Sequence, residues 1–246
     1  MCYHKQQRQP ARIVAGYYQA TLDTLAVDLP PIYHENSFAH RPSLLLTSDN
    51  PGRLTVGRWG LIPTWAKNNL QATQIKSRTT NCISEDMFEK PAFRTAARAG
   101  HRCLIPCTGF FEWRHLADGK TKIPYFIYSP DDPIFSLGGL WTRYDDPDTQ
   151  ETSLTYTVLT TAANPLMEIV HNSKKRMPVI IPRTYEKDWL GDKLTEQDVR
   201  QICAPSTIPL SAYTISKRIT DKKLSKDVPE VFMAQTYPGV EAVLGG

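Results

Sequence analysis

The 246-residue sequence contains no apolar run that approaches the roughly 18 residues needed for a membrane-spanning helix. Its first twenty residues, MCYHKQQRQPARIVAGYYQA, lack the hydrophobic stretch that marks a secretory signal. Hydrophobic residues make up 41% and charged residues 22% of the chain, which excludes the composition of a disordered segment. We therefore expect a soluble cytoplasmic protein with no membrane partner.

Cysteines are few, and their spacing does not match a metal site. The five are Cys2, Cys82, Cys103, Cys107 and Cys203. An odd number without an export signal argues against a disulfide framework. Cys103 and Cys107 form a C-x3-C pair, but no second pair of Cys or His residues has zinc-ligand spacing. We expect buried free thiols, no metal and no cofactor.

Charge of one sign is not in large excess either. The sequence has 29 Lys and Arg against 25 Asp and Glu, for a net charge of +4 and a pI near 8.7. Proteins that hold duplex DNA mainly through its phosphates usually carry a denser basic surface. The charge therefore permits a nucleic-acid partner without requiring one.

No linker or internal repeat divides the chain, because its 19 prolines and 13 glycines are scattered along the whole length. Segments rich in Tyr, Phe, Val, Ile and Thr predict strands at Ser43–Thr47, Leu54–Trp59, Arg102–Ile105, Gly109–Trp113, Tyr125–Tyr128, Ile134–Trp141 and Leu154–Thr161. Residues 29–42, with three prolines, predict an irregular loop. These patterns favour one domain over residues 1–246.

Helices are predicted around these strands and not in alternation with them. They are expected at Met87–Ala99, where Pro91 suits a first turn, after Asn164–Pro165, and at Arg183–Leu190. A last helix is expected at Thr195–Cys203, with Thr195 as its N-cap. The pattern predicts an α+β fold with a curled, largely antiparallel, barrel-like sheet and peripheral helices.

Cys2 is the most informative single residue. Removal of Met1, which is usual before a small residue, would leave an α-amine and a thiol on adjacent carbons. Their reference pKa values, about 8 and about 8.5, make both groups partly nucleophilic at neutral pH. Such a cysteine can attack an aldehyde with its nitrogen and then its sulfur, which closes a five-membered thiazolidine. The alternative is a cysteine that stands at this position by chance.

A segment with two tryptophans, WGLIPTWAK from Trp59 to Lys67, combines aromatic rings with a cation. This combination suits base stacking and phosphate contact on a single nucleic-acid strand. The same segment is equally typical of a strand end that packs on the core, so both interpretations stay open.

Two further segments carry groups that can move protons. In GFFEW, Glu112 stands among aromatic residues that would desolvate its carboxyl and raise its pKa, as a general acid or base requires. Simple strand alternation, with Glu112 facing water, is the alternative. In HNSKKRMPV, His171 precedes three consecutive cations and can serve a phosphate or an aldehyde site. The alternative there is a solvated charged loop.

Taken together, these segments resemble the SRAP family, the SOS response-associated peptidases or abasic-site processing proteins. The resemblance covers roughly residues 2–190 and rests on the order of Cys2, WGLIPTWAK, NCISEDMFEKPAFR, RCLIPCTGFFEW, ANPLM and HNSKKRMPV. It implies one α+β domain with a curled sheet, in which residues 191–246 belong to the same unit.

The resemblance also implies a function. Members sense abasic sites in single-stranded DNA and form a thiazolidine DNA–protein crosslink through the N-terminal cysteine, here Cys2 after removal of Met1. Associated lyase and self-processing peptidase activities are implied as well. We accordingly expect a monomer that binds single-stranded DNA containing abasic sites and that is nucleoid-associated if its source is bacterial.

Particular residues acquire roles through the resemblance. The family's asparagine falls on Asn81 and is expected to hold the cysteine amine, Glu112 to move a proton, and His171 to assist the Schiff-base steps. Arg176 matches an arginine that contacts phosphate. The implied DNA-binding residues are Trp59, Pro63, Trp65, Lys67, Arg78, Arg94, Lys174 and Arg176.

Two positions depart from the family pattern. Ile83 stands where the family's Asn-Ala-Arg-Ser-Glu segment has its arginine, and Arg78 lies upstream as a partial substitute. His4 stands where a stronger cation often follows the cysteine. Two other function classes also fit the residues: a cysteine peptidase that uses Cys2 and His171, and a non-covalent binder of single-stranded nucleic acid.

Overall fold

The computed structural model describes residues 2–245, so Met1 and its expected removal lie outside the described residues. In chain order, the strands are β1 His4–Gln7, β2 Thr21–Leu22, β3 Ile32–Asn36, β4 Pro42–Thr47, β5 Asn50–Trp59, β6 Asn81–Ile83, β7 Arg102–Cys107, β8 Gly109–His115, β9 Lys122–Tyr128, β10 Phe135–Asp145, β11 Thr152–Ala162, β12 Arg176–Pro178, β13 Ile180–Ile181, β14 Ser211–Thr214 and β15 Val243–Leu244. The α-helices are α1 Ala11–Tyr18, α2 Thr24–Val27, α3 Asn69–Lys76, α4 Arg94–Arg98, α5 Pro165–Val170, α6 Glu186–Leu190 and α7 Glu196–Ile202.

Five strands close into a barrel in the order β11-β10-β7-β4-β5. The pairings along this order are antiparallel, and a parallel pairing of β5 with β11, which sets Trp59 beside Tyr156, closes the circle. The barrel strands are buried on both faces: in β4, Leu44 and Leu46 join the core cluster under the helices, while Leu45 joins the cluster under a second sheet. The predicted α+β fold with a curled, largely antiparallel sheet is confirmed.

The second sheet has six strands in the order β15-β14-β9-β8-β1-β3 and packs against the barrel. The core cluster between them includes Cys2, Trp59 and Phe110. Because β1 lies between β3 and β8, the N-terminal strand is an inner strand of this sheet. Cys2, two residues before the start of β1, is therefore held at the boundary between the sheet and the barrel.

Local sequence signals predicted two helix starts correctly. Helix α5 begins after Asn164, whose side-chain oxygen accepts a hydrogen bond from the Met167 amide at 2.9 Å. Helix α7 begins after Thr195, which forms a capping box with Asp198. In both cases a polar side chain satisfies amide groups that the first turn leaves unpaired.

Two other predictions were wrong. The helix expected at Met87–Ala99 is confined to Arg94–Arg98, because Pro91 has no N–H to donate and residues 84–93 form separate short turns before it. Residues 29–42 are not an irregular loop, since they contain β3. That strand forms because β1, about thirty residues earlier, supplies its hydrogen-bonding partner.

The five cysteines are buried free thiols, as expected. Within residues 2–245, no group of three or more His, Cys, Asp or Glu side chains is arranged to hold a metal ion. No helix in that range is long and apolar enough to cross a membrane.

Candidate active site at the N-terminal cysteine

The Cys2 thiol is completely buried at the boundary between the sheet and the barrel, with its Sγ atom 3.8 Å from the His4 carbonyl oxygen. Burial raises the pKa of this thiol well above its ordinary value, and the nearby Glu112 carboxyl adds to the increase. A thiol in this environment stays protonated at neutral pH.

Glu112 lies on β8, opposite Tyr125 of β9, and is 5% exposed. Burial raises the pKa of its carboxyl to about 8. Its Oε1 atom is buried and has no hydrogen-bond partner among the described residues. The desolvated position predicted from the GFFEW segment is confirmed, and the alternative of a side chain facing water is wrong. At neutral pH this carboxyl is mainly protonated and can donate a proton.

His171 lies at the end of α5, with its Nδ1 atom 2.8 Å from the Arg176 carbonyl oxygen. A carbonyl only accepts hydrogen bonds, so Nδ1 carries the hydrogen and Nε2 is left as an acceptor. Burial lowers the pKa of the imidazole to about 4. His171 is therefore neutral at physiological pH, and its free nitrogen can take up a proton.

Glu112 and His171 face each other across a short gap, with 3.8 Å between Glu112 Oε2 and His171 Nε2. This distance exceeds a hydrogen bond, and the opposite pKa shifts leave both groups neutral at pH 7, so they do not form an ion pair. A polar atom of a substrate that enters the gap would meet a proton donor on one side and a proton acceptor on the other.

The position of His171 is fixed from both sides of the helix end. Met167 and Val170 of α5 are buried in the core cluster that contains Cys2. Immediately after His171, the Asn172 side chain accepts a hydrogen bond from the His115 amide at 3.0 Å and donates one to its carbonyl at 2.8 Å. Because His115 ends β8, this double contact ties the histidine to the strand that carries Glu112.

Asn81 begins β6, which runs parallel to β11 and pairs with it at Val158. Its amide nitrogen donates to the Thr80 hydroxyl at 3.4 Å, but its Oδ1 atom is buried and accepts no hydrogen bond from the described residues. Buried amide oxygens are normally bonded. This oxygen is therefore a free acceptor that can receive a bond from an amine or another donor.

Arg176, at the start of β12, is already engaged with protein groups. It binds both carboxylate oxygens of Glu85, at 2.6 and 2.8 Å, and donates to the Thr160 carbonyl at 2.6 Å. The guanidinium holds the pKa of Glu85 at about 2. A phosphate that binds here would share the guanidinium with Glu85, so the first role of Arg176 in this structure is to join β12 to the turn after β6.

Apart from the half-buried Arg176, the DNA-binding residues implied by the resemblance fall into two groups. Trp59 and Pro63 are buried, and the Trp59 indole donates to the Thr80 carbonyl at 2.6 Å while its ring stacks on Tyr156. Trp59 thus presents no face to a base. The exposed members are Trp65, Lys67, Arg78, Arg94 and Lys174.

Gly60 explains how the WGLIPTWAK segment turns from the core to the surface. Its backbone φ of +121° lies in a region that residues with a side chain rarely adopt. A Cβ atom at this position would come within 2.6 Å of the Lys76 carbonyl oxygen and 2.8 Å of the His40 ring. The turn leaves Trp65 46% exposed beyond the buried part of the segment.

The two departures from the family pattern differ in their surroundings. Ile83, at the end of β6, is 41% exposed. His4 stacks on His34, with a ring-nitrogen contact of 2.9 Å, and meets the edge of Trp113. Burial lowers the pKa of His4 to about 3, so His4 is neutral at physiological pH and is not a cation.

A buried ion pair beside the site was not predicted from the sequence. The Lys5 ammonium lies 2.6 Å from Glu35 Oε2 and 2.7 Å from the Ser43 hydroxyl, and neither charged side chain is exposed. Lys5 is three residues after Cys2 and pairs with Glu35 across β1 and β3. The ion pair could have been predicted only by recognising a strand at residues 32–36, which the prolines of this segment obscured.

Solved structures share the fold described above. A crystal structure of a protein from Bacteroides thetaiotaomicron superposes with a TM-score of 0.87 at 35% identity, covering 94% of this chain and 98% of that one. A second crystal structure, from Bordetella bronchiseptica, gives a TM-score of 0.70 at 26% identity, covering 87% and 100% of the two chains.

The fold therefore places the chain among α+β proteins that combine a closed five-strand barrel with a covering sheet. The chain belongs to the SRAP family, the SOS response associated peptidases, whose model matches residues 1–222. It is 37% identical over 201 residues to the Bacillus subtilis abasic site processing protein YoqW, covering 79% of this chain and 85% of YoqW. It is 35% identical over 204 residues to YobE of the same organism, another abasic site processing protein, covering 80% and 88%.

Proposed function

We propose that this protein processes abasic sites in single-stranded DNA by linking Cys2 covalently to the sugar aldehyde as a thiazolidine. The observation that carries the proposal is the pair formed by a protonated Glu112 and a neutral His171, 3.8 Å apart and close to the Cys2 thiol. The names of the Bacillus relatives support an abasic-site substrate for this chain as well.

The reaction requires a free α-amine on Cys2. The amine adds to C1′ of the ring-opened sugar, and the resulting carbinolamine loses water to give an imine. The Glu112 carboxyl supplies the proton that the leaving hydroxyl needs, and His171 Nε2 accepts the proton that the nitrogen releases. The Cys2 S–H then adds across the C=N bond: sulfur bonds to carbon and the thiol proton passes to nitrogen. One water is released in total.

Asn81 has a separate role in this scheme. Its unpaired Oδ1 atom is suited to accept a hydrogen bond from the Cys2 amine and so to direct the nitrogen lone pair at the aldehyde. Loss of this hydrogen bond from the Cys2 amine to Asn81 should slow adduct formation without unfolding the protein, because the bond is made only to the reacting amine. The imine is also the species from which β-elimination cleaves a DNA strand, so a lyase side reaction belongs to the same proposal.

A cysteine peptidase is the second candidate, since the family is described by that activity. Catalytic thiols of cysteine peptidases have a lowered pKa and pair with a charged histidine. Here burial raises the pKa of Cys2 and lowers that of His171 to about 4, so no thiolate–imidazolium pair forms at neutral pH. These electrostatics support aldehyde chemistry in preference to peptide hydrolysis.

The proposal is tested by incubating the protein with single-stranded DNA that holds one abasic site, followed by a heated denaturing gel and mass spectrometry. We expect a stable adduct whose mass equals the protein without Met1 plus the DNA minus one water. DNA with a tetrahydrofuran analogue, which has no aldehyde, is the matched control. Binding without any adduct would indicate the non-covalent alternative instead.

Replacement of Glu112 by glutamine is expected to slow adduct formation by roughly 10²-fold, the lower range for positioned proton transfer. Because the carboxyl has a pKa of about 8, its proton-donating form is lost as the pH rises through that value. The wild-type rate should therefore fall above about pH 8, and the Glu112→Gln rate should show no such fall. Single-turnover kinetics from pH 5 to 10 measure both.

The melting temperature of Glu112→Gln serves as a control for its effect on folding. The raised pKa of Glu112 means that the folded protein disfavours the ionised carboxylate, so ionisation costs stability increasingly from the unfolded pKa near 4.3 up to about pH 8. Glutamine removes this cost, and Glu112→Gln should melt no lower than the wild type at pH 7. Unchanged rates across the pH range would assign Glu112 a purely structural role.

Replacement of Ile83 by arginine is expected to strengthen binding to single-stranded DNA and to steepen its log–log salt dependence by about 0.7, the value for one added phosphate contact. Because Ile83 is 41% exposed, the new charge stays hydrated and the unfolding free energy should change by less than about 0.5 kcal/mol. Salt-dependent affinity and melting temperature, measured together, check this.

Leu25→Arg is the matched control for that substitution. Leu25 is 72% exposed on α2, which packs against β5, and its replacement adds the same charge outside the proposed DNA surface. It should leave the salt slope unchanged. A fall in melting temperature for Ile83→Arg without a gain in affinity would show that Ile83 supports the fold and does not line the DNA surface.

A further inference from the structure

The segment from residue 217 to residue 227, which we call the basic loop, concentrates positive charge. It carries five cations and two aspartates in a chain whose net charge is only +4. The cations are Lys217, Arg218, Lys222, Lys223 and Lys226. The SRAP family model ends at residue 222, so the second half of the loop lies beyond the matched region.

The basic loop is attached to the sheet through Asp227. One carboxylate oxygen of Asp227 accepts hydrogen bonds from the backbone amides of Tyr33 and His34, at 2.7 and 3.3 Å, and the other lies 2.6 Å from the Arg41 guanidinium. Because β3 is an edge strand, no further strand of the sheet pairs on its outer side. A hydrogen bond from Arg218 to the Ser225 carbonyl, at 3.2 Å, closes the loop on itself.

The lysines of the attached loop are free to meet an anion. Lys222 and Lys223 are exposed, and none of the loop's three lysines from 222 to 226 forms an ion pair with a described carboxylate. Asp227, the residue after Lys226, is already bound to Arg41. The Asp221 carboxylate accepts a hydrogen bond from the Lys223 backbone amide, at 2.8 Å. The loop therefore presents lysine ammonium groups that form no ion pair with a described carboxylate.

The loop also lies close to the cysteine site. Lys226 is near enough to His34 and His4 for its charge to help lower the pKa of both imidazoles. His4 is two residues from Cys2, a distance of about 7 Å in extended chain. Just after the end of β3, Phe38 is 52% exposed and stacks on Tyr3, the residue after Cys2, with 5.3 Å between ring centroids. The attached loop and the exposed Phe38 ring thus both lie along β3, next to the strand that Cys2 precedes.

We propose that the basic loop binds phosphates of the DNA strand on one side of the abasic nucleotide. The inference rests on the proposed function for its placement of the abasic nucleotide at Cys2. Lysine ammonium groups suit this task because they act as hydrated point charges toward phosphates. The exposed Phe38 ring favours a single strand, whose bases are free to stack.

The test measures non-covalent binding, so that it does not depend on the cysteine chemistry. The variant Lys222→Ala/Lys223→Ala/Lys226→Ala is compared with the wild type on single-stranded DNA that contains the tetrahydrofuran analogue. Loss of three phosphate contacts should reduce the log–log salt slope by about 2 and weaken binding about ten-fold at low salt. The analogue is placed either at the 5′ end or at the 3′ end of the oligonucleotide, and the variant should lose affinity for only one of these two DNAs.

A matched variant controls for net charge. Arg12→Ala/Lys187→Ala/Lys193→Ala removes three exposed cations on or next to α1 and α6, outside the basic loop, and should keep the wild-type slope. An equal loss in both triple variants, or for both DNA polarities, would show a general electrostatic effect and overturn the proposal. A loop variant with the wild-type slope would overturn it as well.

Asp227→Ala separates the effect of the loop's position on DNA binding from the effect of the protein's net charge. It makes the protein more positive, which by itself strengthens DNA binding, but it releases the loop from β3. If the attached position matters, affinity should fall despite the added charge, and a rise would overturn the claim. Adduct formation by the wild type with abasic DNA, measured separately, reports on the proposed function, so failure of one proposal is distinguishable from failure of the other.

Discussion

Cys2→Ser is expected to abolish the heat-stable adduct with abasic DNA. Serine keeps the α-amine, so the imine can still form at C1′, but the hydroxyl is a much weaker nucleophile than the thiol and closes the ring poorly. The imine then hydrolyses when the sample is heated. A heated denaturing gel should show no product, and borohydride added during the incubation should trap a small amount by reducing the C=N bond.

Cys203→Ser is the matched control, because it removes a buried thiol from the other core cluster and leaves the N-terminus unchanged. It should form the adduct at the wild-type level once its folding is checked by melting temperature. Mass spectrometry of each protein must also establish that Met1 is absent, since an acylated Cys2 nitrogen cannot form an imine. A heat-stable adduct from Cys2→Ser would refute the thiazolidine assignment.

Lys5→Met should lower the free energy of unfolding by about 3–5 kcal/mol, the usual cost of breaking a fully buried ion pair. Lys5 and Glu35 are both completely buried, and the Lys5 ammonium also donates to the Ser43 hydroxyl. Methionine fills the space of the lysine stem but leaves the Glu35 carboxylate without a counter-charge in the core. Denaturant unfolding at pH 7 measures the effect.

The double variant Lys5→Met/Glu35→Leu separates the ion pair from its packing. With both charges gone, no unpaired charge remains in the core, so at least half of the lost stability should return. If the free energy of unfolding of Lys5→Met is within about 1 kcal/mol of the wild-type value, the ion pair does not stabilise the fold as its geometry implies. Because Lys5 and Glu35 face each other across β1 and β3, the pair also sets the strand register that places Cys2.

Local patterns were sufficient where the physical cause is local. The helix start at Asn164-Pro165 and the cap at Thr195 were predicted correctly, because proline suits a first helical turn and a capping side chain bonds amides two or three residues ahead. The strands between residues 43 and 161 were recognised by their apolar and β-branched composition, and the desolvated state of Glu112 by its aromatic neighbours in sequence. The resemblance, and not any local signal, singled out Asn81.

Contacts between distant segments decided the rest. Strand β3 exists because β1 pairs with it, and His4 is neutral because it packs against His34 and Trp113. Trp59 is buried because β5 closes the barrel against β11, a parallel pairing that no short window of sequence reveals. Thus the sequence by itself determined the residue types available for aldehyde chemistry. Only the tertiary structure decided which of them are desolvated, paired or exposed, since burial and charge pairing depend on neighbours that are remote in the chain.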